Sequence, residues 1–139
     1  MQTLALLALL VIAAGIIGKT ESAINFSVSS DWRRLFATAI IAIVIPSLGE
    51  ELVFRVGLAG RRGWLRATGA LALFILWHPL QLWLGLPMAQ PVFAEPGFLA
   101  IVALLGLACT LAYRWSGSLW PPVFIHWTVV VGWKAVAGG

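Results

Sequence analysis

Residues 35–59 read LFATAIIAIVIPSLGEELVFRVGLA, a run that is apolar except for one acid pair, one arginine and a few small polar residues. At 1.5 Å per residue a helix of this length crosses the roughly 30 Å hydrocarbon core of a bilayer. A charge at the bilayer centre costs at least about 2.5–3.5 kcal/mol on insertion scales, so Glu50, Glu51 and Arg55 need either partners or a task.

Four further apolar runs flank this one, at residues 3–18, 65–86, 97–115 and 119–137, and their breaks carry Lys19, Arg33, Arg34, Arg61, Arg62, Arg66, Glu95 and Arg114. The expected fold is therefore all-α, a polytopic transmembrane bundle of about five helices. Residues 1–32 supply an N-terminal transmembrane helix and a polar linker at 19–31, and residues 33–139 form the core. The first run has no basic segment before Leu4 and no cleavage site, which favours a helix over a signal peptide. With 61% hydrophobic and 10% charged residues, the chain has too little polar surface for a water-soluble domain. The net charge of +4 sits between apolar runs rather than on one stripe, so the bilayer is the expected partner and nucleic acid is not. Trp32, Trp64, Trp115 and Trp120 fall at run ends, as interfacial anchors do, whereas Trp77 and Trp127 sit beside histidines and read as core packing. Cys109 is alone, which excludes a disulfide framework.

Glu51 and Arg55 are four apart, on one helical face and in the better order for an ion pair. Glu50 is turned about 100° away, so it needs another partner, and His78 and His126 are the available ones. Connections at 60–63 and 114–118 share one membrane side, and all three groups lie about 12–18 Å in from it. Pro46 and Pro79 are expected to kink their helices beside Glu50 and His78, opening a polar cavity. Lys134 reads as a snorkelling side chain. A carboxylate and an imidazole sharing a water can deprotonate it for attack on a carbonyl, with a second imidazole binding the oxyanion. Glu50, His78 and His126 could instead bind a divalent metal such as zinc, although no HExxH motif is present.

Glu50-Glu51-Leu52-Val53-Phe54-Arg55 resembles the EExxxR motif of the CPBP family of CAAX proteases and bacteriocin-processing enzymes. Phe74-Ile75-Leu76-Trp77-His78 is similar to its FxxxH motif, and Gly117 to Pro122 followed by His126 is similar to the start of its third. The three stand in the family's order on separate runs, over residues 35–133. The resemblance implies an intramembrane endopeptidase acting on membrane-associated or lipidated peptides. In it Glu50 and His78 activate water, Arg55 supports Glu50 and Glu51, and His126 contributes to the oxyanion site. A metal-free, glutamate-type mechanism with no cofactor is the expectation, with a metal as the alternative. Where the family usually has Asn or Asp four residues after the histidine, this chain has Val130, which offers no hydrogen bond, and Thr128 lies on another face. The chain is also shorter than most members, so a second copy could supply missing helices in a homo-oligomer.

Two other classes compete: a catalytically weak scaffold or bacteriocin-immunity protein, which Val130 favours, and a proton-coupled carrier, which would show paired repeats of broken helices. Arg61, Arg62, Arg66 and Arg114 occupy the tightest basic loops. That places their side, and with it the mouth of the site, in the cytoplasm, and the C-terminus outside.

Overall fold

The structure is a computed structural model that describes residues 2–20, 31–86 and 89–136. Within them the expected all-α bundle forms five helices: α1 (Gln2–Thr20), α2 (Trp32–Ala59), α3 (Trp64–Trp83), α4 (Pro96–Ser116) and α5 (Trp120–Val136). A short 3-10 turn (Pro91–Ala94) precedes α4. Residues 21–30 of the expected polar linker lie outside the described residues.

Two helices, α2 and α4, are long and apolar enough to cross a membrane, and they play opposite roles. α4 is the hub, packed against α1, α3 and α5, and buries Phe98, Ile101, Val102, Leu105, Cys109 and Ala112. α2 turns Ile40, Ile41, Val44, Leu52, Val53 and Val56 outward, as α1 does with Leu9 and Ile12 and α3 with Leu65, Leu73 and Leu76. So much outward-facing aliphatic surface fits hydrocarbon and not water. Trp32, Trp64, Trp115 and Trp120 are all exposed at helix ends, where anchors were expected.

Two close approaches set the geometry. Ala59, Ala67 and Ala70 form a small-residue contact that lets the end of α2 meet the start of α3. Gly106 of α4 faces Phe74, and a β-carbon there would stand 2.6 Å from Leu71 Cδ1 and 2.8 Å from Phe74 Cδ1, so only glycine admits the Phe74 ring.

The end of the bundle holding the 60–63 and 116–119 turns is clipped by arginines. Arg66 donates to the carbonyls of Leu58 (3.2 Å) and Gly57 (3.4 Å), satisfying the C-terminus of α2. Arg114 donates to the Gly63 carbonyl at 3.3 Å and lies over the Trp64 ring, so the two turns share one side as the crossing count requires. Gly117 ends α4 in the left-handed conformation, φ +68°, directly against the Arg61 guanidinium.

Pro46 and Pro79 behave differently. At Pro46 the helix breaks: Ile45 leaves helical dihedrals (φ −100°, ψ 93°), and Ile43–Leu48 and Leu52–Ala59 wind in wide turns with five-residue hydrogen bonds, such as Gly60 N–H to the Arg55 carbonyl at 2.8 Å. At Pro79, where a kink was expected, α3 runs on without a break in its helical residues to Trp83.

Candidate active site

Between the wide-turn stretches a single α-helical turn, Gly49–Glu51, presents the two acids to different surroundings. Glu51 points into the protein and is fully buried. Arg55 Nε sits 2.9 Å from its Oε2, Arg55 Nη2 donates to Oε1 at 3.5 Å, and His126 Nδ1 lies 2.8 Å from the same Oε1. The guanidinium also covers the Phe74 ring at 4.5 Å. The i,i+4 pair anticipated from the sequence is thus present, and its desolvation is offset by a histidine and an aromatic face.

Glu50 points the other way, into a cavity of about 810 Å³ that His78, His126, Trp77 and Gln81 also line. Its Oε1 accepts a hydrogen bond from Trp77 Nε1 at 3.0 Å. Its Oε2 has no hydrogen-bond partner and stands 3.9 Å from His126 Nε2. Of the two histidines expected as partners of Glu50, His126 stands within ion-pair distance, while the indole of Trp77 supplies the hydrogen bond and His126 gives its shorter contact to Glu51.

The imidazoles are oriented by acceptors. A carboxylate can only accept, so His126 carries hydrogen on Nδ1 and turns Nε2 toward Glu50. His78 Nδ1 meets the Phe74 carbonyl at 3.0 Å, which likewise commits that nitrogen as the donor and leaves Nε2 for the cavity. Phe74 joins the group: its ring makes edge contacts to His78 (5.2 Å) and His126 (5.9 Å) and supports Arg55. Arg55, His78 and His126 thus meet one ring, and Glu50 and Glu51 join them through His126 and Arg55.

Trp77 and Phe74 were missed as contributors. The available signal for Trp77 was a mid-helix indole, whose N–H must find an acceptor when buried in an apolar bundle. Trp127 makes the same point, donating to the Ala39 carbonyl at 2.8 Å rather than merely packing. Val130 lines the cavity one turn beyond His126 and brings no polar atom, and Thr128 spends its hydroxyl on the Phe124 carbonyl. Among the described residues no three His, Cys, Asp or Glu side chains converge so as to hold a metal ion. Glu50, His78 and His126 as placed do not fit that use.

The cavity extends from Glu50 past Phe93, Phe98 and Trp133 to Gln90 and Lys134, at the end of the bundle opposite Arg61 and Arg114. The mouth was expected on the side of the tight basic loops, whereas the residues that line the cavity, Ile45, Leu86 and Gln90 among them, lie toward the opposite end.

Comparison with known proteins adds one match. Residues 32–132 fit the profile of a family described as Type II CAAX prenyl endopeptidase Rce1-like. No curated protein and no solved structure matches.

Proposed function

The chain belongs to the Rce1-like family of type II CAAX prenyl endopeptidases, a family of membrane-embedded proteases, and we propose that it hydrolyses a peptide bond in a membrane-associated or prenylated substrate with a water activated by Glu50 and His78. The observation that carries this reading is the buried Oε2 of Glu50, which accepts no hydrogen bond and lies within ion-pair distance of His126 Nε2, at 3.9 Å, on the wall of the cavity.

In the proposed reaction the water oxygen attacks the scissile carbonyl carbon while its proton passes to Glu50, assisted by His78. The carbonyl oxygen becomes an oxyanion, which His126 receives on Nε2–H in its imidazolium form. The C–N bond then breaks and Glu50 returns the proton to the leaving amine, giving a carboxylic acid and an amine. Charge bookkeeping supports these roles: Glu50, Glu51 and Arg55 sum to −1, so one proton held by either His126 or Glu50 makes the buried group neutral. Apolar cavity walls suit a lipidated or aliphatic peptide.

A catalytically weak member acting as a membrane scaffold or immunity protein is the second reading. The position of Val130 on the cavity wall favours it, since an oxyanion donor expected there is missing.

The deciding experiment incubates detergent-purified protein with prenylated and transmembrane peptides, comparing wild type with Glu50→Ala and His78→Ala, each with and without a chelator. Cleavage that both substitutions abolish and the chelator leaves untouched is the expected result. A folded wild type that cleaves none of the panel overturns proteolysis in favour of the scaffold, and chelator sensitivity overturns the metal-free mechanism.

A further inference from the structure

The far end of the cavity carries a positive group that the hydrolytic site does not use. Lys134 lies on α5 eight residues beyond His126, about 12 Å along the helix at 1.5 Å per residue, and both line the same cavity. Val129, Val130 and Trp133 form the wall between them, and Phe98 packs edge-on against Trp133 at 5.3 Å. Arg34, at the start of α2, is close enough to Lys134 for their charges to interact. Among the described residues no carboxylate forms an ion pair with Lys134: the ion pairs there are those of Glu50 and Glu51 with Arg55 and His126. The cavity therefore has a nucleophile-activating carboxylate at one end, an apolar wall in the middle and an unneutralised ammonium at the other.

We propose that Lys134 binds the C-terminal carboxylate of the peptide substrate and thereby sets where the chain is cut. This rests on the peptidase reading for the nature of the occupant. An extended peptide advances about 3.3–3.6 Å per residue, so a carboxylate on Lys134 puts the peptide bond about three residues upstream beside Glu50 and His126. The intervening side chains lie against Val129, Val130 and Trp133 and are best matched by aliphatic residues. A substrate of the C-a-a-X type, with two aliphatic residues before a free C-terminus, has this pattern. Lys134 touches no reacting atom and acts on affinity and register.

The test uses full-length Glu50→Gln protein, which binds without turnover, in a zwitterionic detergent free of anionic lipid. Binding of a farnesylated tetrapeptide with a free C-terminus is compared with binding of its C-terminal amide by tryptophan fluorescence. About tenfold tighter binding of the acid is expected. In Lys134→Met on the same background the two peptides should bind alike, and in Lys134→Arg the preference should persist. Equal binding of acid and amide before any change at Lys134, or an acid preference that survives Lys134→Met, overturns the proposal; in the first case the ammonium is left to a lipid phosphate. Wild-type cleavage run in parallel separates the two readings. Absent cleavage with intact acid preference sinks the protease and not the carboxylate site.

Discussion

The indole N–H of Trp77 holds one oxygen of Glu50 at 3.0 Å and thereby turns the other toward His126. Acid and indole come from different helices, α2 and α3, so the orientation of the cavity-facing carboxylate depends on tertiary packing and not on its own helix.

Replacing Trp77 with Phe keeps most of the ring and removes the donor. A hydrogen bond to a charged group contributes about 1.5–3 kcal/mol, so kcat should fall about tenfold to a hundredfold with KM little changed. A substitution that raises KM alone would show that Trp77 only shapes the pocket.

Arg55→Met leaves the Glu51 carboxylate without its cation in a fully buried place. Breaking a buried pair from one side typically costs about 3–5 kcal/mol, which thermal unfolding in detergent should register as a large fall in Tm. Adding Glu51→Gln should recover part of that loss. No recovery in the double variant would mean that the guanidinium stabilises mainly through Phe74.

Val130→Asn places an amide one turn from His126 on the cavity wall. One oxyanion donor is worth about 10²–10³ in rate, so kcat should rise by at least about tenfold even in an imperfect geometry. An unchanged kcat in a folded, active preparation would show that the oxyanion lies elsewhere.

If the mouth opens to the cytoplasm, the end of the bundle holding Lys134 is cytoplasmic, and so is a reporter fused after Gly139. An external reporter would put the arginine-clipped end inside and the mouth outside.

The helical bundle was legible because the cost of exposing backbone or charge to hydrocarbon writes itself into run lengths, and the five runs became five helices. The convergence of Glu50, His78 and His126 was legible too, since depth follows from residue count. What residue count does not encode is rotation. It gives how far His126 lies from a turn, not that its Nδ1 meets Glu51 while its Nε2 faces Glu50, nor that Trp77 supplies the hydrogen bond to Glu50. Residue count likewise does not show that Arg66 and Arg114 are taken up by carbonyls at the turns. Nor does a residue rule give degree: at Pro46 the dihedrals of Ile45 leave the helix, whereas α3 stays helical through Pro79.

The clipped end has a mechanical consequence. With Arg61 and Arg114 tying two turns together, helices α2 to α5 are joined like the arms of tongs, and their opposite ends, held by contacts such as Trp127 to Ala39 and Phe98 to Trp133, lie about 30 Å away for helices of twenty residues. A tilt of about 5° at the joint moves a tip by about 2.6 Å over that length. The joint can stay intact while the opening widens by nearly the width of a methylene chain, and the acids halfway along move only half as far.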